Sequence, residues 1–188
     1  MKIVLASKSP RRKELLGLLD LDFEIITADI DETMDPSLPV TDEVARISYE
    51  KALAAAKGLD SDTVIISADT IVELGGCLMG KPKDEHDAAN MLRDLSGKSH
   101  NVHTAVTVLQ GGTHETRVVT TAVTFRDITK EEIAAYIKTM EPMDKAGAYG
   151  IQGRASKFVS KINGDYFNVV GLPVCELGLI LKQFDINI

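Results

Sequence analysis

The chain contains little cysteine and no long apolar run, and both absences narrow the class of protein. Cysteine occurs only twice in 188 residues, at Cys77 and Cys175, and neither belongs to a CxxC pair. We therefore expect free thiols in a reducing compartment rather than a disulfide framework. No apolar run approaches the roughly 18 residues that a membrane-spanning helix needs, and the N-terminal segment lacks the apolar core of a signal peptide. These absences predict a cytoplasmic protein that does not contact a membrane.

The chain also lacks an excess of positive charge. It carries 21 Lys and Arg residues against 28 Asp and Glu residues, which gives a net charge of −7. A protein that holds nucleic acid by its backbone usually carries a basic face, so we expect no nucleic-acid partner. The negative net charge is still compatible with a small anionic ligand, because a local pocket can be positive on an acidic protein. The sequence has no repeat and no flexible linker, and its length fits one domain or two closely packed lobes.

Apolar runs alternate with turn residues in a pattern that is typical of an α/β fold. The β-branched runs predict strands at 2–6, 23–26, 64–68, 71–74, 103–110 and 116–125. Apolar spacing and capping residues predict helices near 10–19, at 42–57 after Thr41, at 85–95 after Asp84, at 130–139 after Thr129 and from Pro173 onward. The mixture of βα units and long hairpin strands predicts a mixed sheet with helices around it and a cleft.

The turn between the first strand and the first helix holds the first candidate site. Ser9 is a good N-cap and Pro10 suits the first helical position. The basic side chains nearby are the wrong charge for the positive end of a helix unless an anion balances them. The hydroxyl groups of Ser7 and Ser9 and the planar forks of Arg11 and Arg12 suit phosphate. A solvated basic patch is the alternative.

Two further segments each contain one candidate functional residue. Asp69 follows the predicted strand 64–68, and ligands of α/β sheets bind beyond the carboxyl ends of strands. A carboxylate there can hold a divalent metal or deprotonate a water, although a turn Asp that bonds its own backbone is the alternative. Lys81 lies between Gly80 and Pro82, so that a stiff loop could direct its ammonium group at a phosphate. The alternative for Lys81 is a solvated lysine.

An acidic loop and a glycine-rich segment complete the candidate chemistry. The loop at 28–39 carries four carboxylates that suit Mg²⁺ with substrate phosphates, or that simply face solvent; they are Asp29, Asp31, Glu32 and Asp35. The segment 140–157 places three glycines within seven residues, which indicates either close backbone contact with a ligand or an ordinary connector. Within it, Tyr149 or Gln152 could contact a base. No histidine pair has convincing metal spacing.

Several of these segments together resemble the Maf family of nucleoside triphosphate pyrophosphatases. The resemblance runs from residue 3 to about residue 184, and its motifs lie at 5–12, 67–70, 80–82, 141–153 and 164–173. It implies an elongated mixed sheet in two lobes around a deep cleft, similar to the inosine triphosphate pyrophosphatases. It also implies that the whole chain, 1–188, is one such domain. The activity implied is metal-dependent hydrolysis of a nucleoside triphosphate to the monophosphate and pyrophosphate.

The resemblance also assigns roles to individual residues. Asp69 falls on the proton acceptor of the family, and we expect Lys51 and Lys81 to assist it. Arg12, Thr70 and Gln152 resemble the specificity positions of the branch that takes dTTP and UTP. The expected substrate-binding residues are Ser7, Ser9, Arg11, Arg12, Thr70, Lys145, Tyr149 and Gln152. We expect Glu32 and Asp69 to hold Mg²⁺ or Mn²⁺, with Asp29 and Asp31 as competitors for the role of Glu32.

Two other classes of function stay open from the sequence. One is a nucleotide-sensing regulator of septation that turns over little substrate, and the same cleft would serve it. The other is an interaction protein whose basic turn docks an acidic partner. A homodimer is compatible with the sequence but does not follow from it.

Overall fold

The computed structural model describes residues 2–27, 29–35 and 37–188, which form a mixed sheet with flanking helices. The strands are β1 (Ile3–Ala6), β2 (Glu24–Ile25), β3 (Val64–Leu74), β4 (Cys77–Met79), β5 (Ser99–Gln110), β6 (Thr113–Phe125) and β7 (Val159–Asn163). The helices are α1 (Pro10–Gly17), α2 (Val40–Ala56), α3 (Glu85–Leu95), α4 (Lys130–Ile137), α5 (Tyr166–Val170) and α6 (Val174–Gln183). The predicted α/β class is confirmed.

The sheet combines a parallel half with antiparallel hairpins. Its strand order is β2-β1-β3-β5-β6-β7, and the short strand β4 additionally pairs with β3. β1 is parallel to both β2 and β3. The β3–β4 and β5–β6 connections are two-glycine turns, and both glycines of each turn have positive φ, from 54° to 88°. Such backbone geometry matches the twist of hairpin strands and is available mainly to glycine.

β3 corrects one expectation about Asp69. The sequence predicts separate strands at 64–68 and 71–74 with Asp69 between them, but β3 runs unbroken from Val64 to Leu74. β1, however, stops at Ala6, which pairs with Ser67. Asp69 therefore lies two residues beyond the carboxyl end of the neighbouring parallel strand, although it is not at the end of its own.

The helix starts follow local capping chemistry in most places. Asp84 and Thr129 cap α3 and α4 as predicted, since each side chain accepts a hydrogen bond from the backbone N–H three residues on. Thr41 is not the N-cap of α2, because this helix begins at Val40 with Pro39 in the cap position. β7 and α5 lie where no element was predicted. The acidic loop at 28–39 has no helix or strand in its described part, and Ala28 and Pro36 lie outside the described residues.

Backbone contacts divide the chain into two compact units. Unit 1 comprises residues 1–69, 104–119 and 171–188, and unit 2 comprises 70–103 and 120–170. An apolar cluster in the core of unit 1 joins the sheet to α2 and consists of Val4, Ala6, Ala52, Ala55, Ile65 and Leu109. Unit 2 is built around an aromatic cluster, which consists of His100, Phe125, Tyr149 and Phe158. Each unit thus has buried residues of its own.

Two further sequence expectations concern cysteine and membrane helices. Cys77 and Cys175 are both exposed and neither forms a disulfide, as predicted. Among the described residues, the helices are all too short or too polar to cross a bilayer.

Candidate functional site

The basic turn of unit 1 is held together by its own serines. The Ser9 side chain accepts a hydrogen bond from the Arg12 N–H at 3.4 Å, and the Ser9 N–H donates to Ser7 Oγ at 3.1 Å. Pro10 occupies the first helical position of α1. Ser9 is therefore the N-cap that the sequence predicts, and the turn presents the N-terminus of a helix of eight residues.

Arg12 extends from this helix into a partly buried position. Its Nε donates to the Gly171 carbonyl at 2.7 Å, and its Nη1 lies 3.5 Å from Ser7 Oγ. Burial lowers the pKa of the guanidinium, whereas the charges of Asp69 and Glu32 oppose this shift and that of Arg11 adds to it. Arg12 thus lies within electrostatic range of both predicted carboxylates, and its orientation is fixed by a backbone oxygen from the other end of the sequence.

Lys51 joins two of the predicted carboxylates. Its Nζ lies 2.7 Å from Asp69 Oδ1 and 2.8 Å from Glu32 Oε1. The side chains of Lys51 and Asp69 are 11% and 12% exposed, whereas that of Glu32 is half exposed. We call these three residues the Lys51 cluster. Because two of them are nearly withdrawn from solvent, their charges are screened less than those of a surface ion pair.

The three acidic side chains of the loop that could hold a metal, Asp29, Asp31 and Glu32, have different partners. Asp29 pairs with Lys8 at 2.6 Å, and the Asp31 side chain accepts a hydrogen bond from the Thr33 N–H at 2.9 Å. These bonds lower the pKa of both aspartates. Among these three described side chains, Glu32 forms an ion pair with Lys51.

The glycine-rich segment of unit 2 is shaped around protein side chains. The carboxylate of Glu141 accepts hydrogen bonds from the Tyr136 hydroxyl and from the Arg154 N–H, and a Cβ at Gly153 would lie 2.0 Å from Glu141 Oε1. A Cβ at Gly150 would lie 2.6 Å from Lys145 Cε. These glycines therefore make room for Glu141 and Lys145, which the sequence did not reveal, in addition to any approach to a ligand.

The same segment is joined to the Gly80-Lys81-Pro82 motif. The N–H of Gly147 donates to the Gly80 carbonyl at 3.1 Å, and Gly147 has a φ of +66°. Lys81, which follows Gly80 directly, is exposed. Gly80 and Gly147, which are 67 residues apart in the sequence, thus meet in unit 2, and Lys81 follows directly after this contact.

The other predicted residues of unit 2 differ in their surroundings. Tyr149 is only 5% exposed, and its hydroxyl shares a 2.8 Å hydrogen bond with His100 Nε2. This position gives the ring a packing role, so that its contact with a base stays a prediction. Lys145 donates to the Glu141 carbonyl at 2.7 Å and pairs with Asp144. Gln152 is exposed, and Thr70 is half-buried in β3.

The structure therefore assembles the predicted site residues in two groups. Unit 1 contains Ser7, Ser9, Arg11, Arg12, Glu32, Lys51 and Asp69. Unit 2 contains Thr70, Lys81, Lys145, Tyr149 and Gln152. Direct contacts between predicted residues are shown in unit 1, where Lys51 pairs with Asp69 and Glu32. The joint action of both groups on one substrate stays a prediction.

The Lys51 cluster also fits the chemistry of a divalent cation. Within the described ranges, no group of three or more His, Cys, Asp or Glu side chains is arranged to hold a metal. Mg²⁺ commonly uses only one or two carboxylates and takes its other ligands from substrate phosphates and water. Glu32 and Asp69 provide two carboxylate oxygens that already converge on one positive charge. Their donor type and number fit such a shared site.

Sequence reasoning missed three contributors to this geometry. Gly171 orients Arg12 through its carbonyl, Glu141 organises the glycine-rich segment, and Ser48 bonds to Ser67 beside the Lys51 cluster. Ser48 gave one signal, since it is a polar residue between the apolar positions 47 and 52 of α2. The Gly171 carbonyl gave none, because a backbone oxygen has no sequence signature.

These features define an α/β protein with a basic helix N-terminus and paired carboxylates beside the end of a parallel strand. The family described as Maf-like protein matches residues 2–184. A dTTP/UTP pyrophosphatase of Alkaliphilus oremlandii is 50% identical over 190 residues, which cover 100% of this chain and 98% of the relative. A dTTP/UTP pyrophosphatase of Bacillus cereus strain G9842 is 46% identical over 187 residues, with coverages of 100% and 97%. The chain belongs to the Maf-like protein family.

A solved structure shares the fold at low sequence identity. A HAM1 protein from Coxiella burnetii aligns with a TM-score of 0.55 and 16% identity, over 97% of this chain and 99% of the other. At this identity the likeness concerns the fold alone.

Proposed function

We propose that the chain hydrolyses nucleoside triphosphates, with dTTP and UTP as the preferred substrates, to the nucleoside monophosphate and pyrophosphate. The full-length relatives named dTTP/UTP pyrophosphatase support this reaction and these substrates. The structural observation that carries the proposal is the ion cluster in which Lys51 Nζ bridges Asp69 and Glu32. Together with Arg12, it provides both signs of charge that hydrolysis of a polyphosphate needs.

The proposed chemistry is attack of water at the α-phosphorus. The bond from water oxygen to the α-phosphorus forms while the bond from that phosphorus to the bridging oxygen breaks, and pyrophosphate leaves. Asp69 accepts the proton that the attacking water loses, and Lys51 orients this carboxylate through the 2.7 Å bond. The α1 N-terminus, Arg11 and Arg12 balance the growing negative charge, since preorganised donors stabilise charge that develops in the transition state.

Two further sets of residues complete the proposed site. Glu32 and Asp69 would hold Mg²⁺ or Mn²⁺, which supplies positive charge to the phosphates when it is bound. Lys81 of unit 2 would bind a leaving phosphate. Thr70 and Gln152 would contact the pyrimidine, because hydroxyl and amide groups can both donate and accept hydrogen bonds at a base edge.

A turnover panel with the purified chain tests the reaction itself. We would measure products from dTTP, UTP and the other triphosphates in Mg²⁺, in Mn²⁺ and in excess chelator. The proposal expects monophosphate and pyrophosphate, fastest from dTTP and UTP, and loss of turnover in chelator. A nucleoside diphosphate with orthophosphate would contradict the bond assignment, and binding without turnover would favour the nucleotide-sensing regulator.

Asp69→Asn tests the proton acceptor. We expect kcat to fall by about 10²–10⁴-fold, the range for loss of a general base, with KM changed by less than about threefold. Asp62→Asn is the matched control, because Asp62 is an exposed aspartate in the loop between α2 and β3. Near-normal kcat in Asp69→Asn would remove Asp69 from the mechanism.

A further inference from the structure

A chain of four hydroxyl groups in unit 1, three of them fully buried, connects α2 with β3, β5 and β6. Ser67 Oγ donates to the Ser48 carbonyl at 2.6 Å, and Ser48 Oγ lies 2.9 Å from Thr107 Oγ1. Thr107 Oγ1 in turn lies 2.8 Å from Thr116 Oγ1. Ser48, Ser67 and Thr107 have no measurable exposure. We call these three residues the hydroxyl clamp.

Stability alone does not account for the clamp. A buried hydroxyl costs free energy unless it is hydrogen-bonded, and the net gain from such a bond is small. Apolar side chains of similar size would pack here at less cost, as Ala52 and Ala55 do on the same helix. What hydroxyl pairs add is direction, because each bond fixes one distance and one angle between two elements.

The clamp lies directly beside the Lys51 cluster. Ser48 is three residues before Lys51 on α2, and positions three apart share one helix face. Ser67 is two residues before Asp69 on β3, so that both side chains point to the same side of the sheet. The faces that the Ser48–Ser67 bonds join are therefore the faces from which Lys51 and Asp69 meet at 2.7 Å.

The geometry points to the hydroxyl clamp as a set of positioning residues for Lys51 and Asp69. The Ser67–Ser48 bond reaches the backbone of α2, so it fixes the helix itself rather than a side chain. The Thr107 bond then holds the Ser48 hydroxyl in one orientation. Loss of these bonds lets α2 move along β3 and lengthens the contact between the Lys51 ammonium and the Asp69 carboxylate. This inference rests on the proposed function for its kinetic consequences.

A matched pair at Thr107 tests the clamp with little change in volume. Thr107→Val keeps the shape but removes the hydroxyl, whereas Thr107→Ser keeps the hydroxyl. With UTP we expect Thr107→Val to lower kcat about 3- to 10-fold and Ser48→Ala about tenfold, with KM within about twofold, because misplacement of a reacting group by 1 Å can cost up to about 10²-fold. Thr107→Ser should stay within about twofold of wild type. Ser67→Ala removes the donor to the Ser48 carbonyl and should lower kcat at least as much as Ser48→Ala. Wild-type kcat in Thr107→Val, Ser48→Ala and Ser67→Ala alike would overturn the inference.

A double-mutant cycle separates positioning from general destabilisation. If Ser48 acts through Lys51, Ser48→Ala should have no further effect on the residual rate of Lys51→Ala. If Ser48→Ala lowered kcat by the same factor in wild type and in Lys51→Ala, the inference would be contradicted. Ile47→Val is the control, since Ile47 is equally buried and adjacent on α2, and we expect it to lower thermal stability without changing kcat.

A readout without substrate keeps the clamp testable if the proposed function fails. In ¹⁵N NMR of the whole chain, the Lys51 ammonium of wild type should give a signal with slowed proton exchange because it is held between two carboxylates. This signal should broaden or vanish in Ser48→Ala and Thr107→Val and persist in Thr107→Ser. An unchanged Lys51 signal in all three variants would overturn the clamp, whereas absence of pyrophosphate release by wild type would overturn only the proposed function.

Discussion

At the scale of single residues, Glu141 shows how the contacts of one side chain can explain a conspicuous motif. The sequence predicts either that the glycines of 140–157 bring backbone close to a ligand or that they belong to an ordinary connector. The structure gives two of them a different partner, because Gly153 packs against the Glu141 carboxylate and Gly150 against Lys145. The carboxylate in turn accepts hydrogen bonds from Tyr136 and Arg154. The motif therefore has a folding role whether or not a ligand also reaches it.

Gly153→Ala tests this folding role. The added Cβ would lie 2.0 Å from Glu141 Oε1, so that the carboxylate must move and lose its hydrogen bonds. We expect a loss of about 1–3 kcal/mol in the free energy of unfolding, measured by urea denaturation. Gly17→Ala is the control, because a Cβ there meets nothing within 4 Å. Equal stability of both variants would show that Glu141 adapts without cost.

Single residues also show where sequence reasoning about the site succeeds and where it ends. The role of Ser9 as N-cap follows from the chain on either side of it and was predicted correctly. The preference for Glu32 over Asp29 and Asp31 comes from the family resemblance, because all three are acidic residues of one loop. The structure adds a contact between Glu32 and Lys51, which is 19 residues further along the chain, while the metal role of Glu32 stays a prediction.

At the scale of elements, most local capping signals predict the structure correctly, with Thr41 as an exception, whereas the edge strand β7 has no such local signal. Caps such as Asp84 and Thr129 act within one helical turn, so a short window of sequence contains the whole interaction. β7 pairs with β6 at the edge of the sheet and carries exposed Ser160 and Lys161, so its pattern lacks the apolar run that marked the other strands. Edge strands with polar side chains are common, because they discourage aggregation.

The capping box of α4 gives a prediction at this scale. The Thr129 side chain accepts a hydrogen bond from the Glu132 N–H, and the Glu132 carboxylate accepts one from the Thr129 N–H. Thr129→Ala should lower the free energy of unfolding by about 1 kcal/mol and Tm by about 2–4 °C, which thermal denaturation would detect. Thr129→Ser should retain most of the stability because it keeps the acceptor oxygen. A loss in Thr129→Ser as large as in Thr129→Ala would exclude the cap as the cause.

At the scale of the whole molecule, the acidic composition coexists with a local concentration of positive charge. The net charge is −7, yet the α1 N-terminus carries Arg11 and Arg12, and Lys51 lies between two carboxylates. Composition alone correctly leaves room for such a site but cannot locate it. The family resemblance adds a prediction of which residues form it, and this prediction is the one that the proposed variants test.

The buried histidine of unit 2 predicts how stability depends on pH. Burial lowers the pKa of His100 to about 4, whereas a histidine in an unfolded chain has a pKa of about 6.5. Between these values the unfolded chain binds a proton that the folded chain does not. The free energy of unfolding should therefore be at its full value above pH 6.5 and fall by about 3 kcal/mol as the pH is lowered to 4.

Urea denaturation between pH 7.5 and pH 4 measures this contribution of His100. Between pH 6.5 and pH 4, the free energy of unfolding of His100→Gln should change less steeply with pH than that of wild type, by the amount that corresponds to uptake of about one proton on unfolding. This difference in slope should hold even if the substitution lowers stability at pH 7.5 through its effect on Tyr149. Carboxylates such as Glu43, whose pKa is lowered to about 2 by its bonds to Arg46 and the Asp35 N–H, titrate in both proteins and cancel in the comparison. His86→Gln is the matched substitution for comparison, since His86 is exposed on α3. Parallel slopes for wild type and His100→Gln would mean that His100 takes up its proton in the folded chain as readily as in the unfolded one.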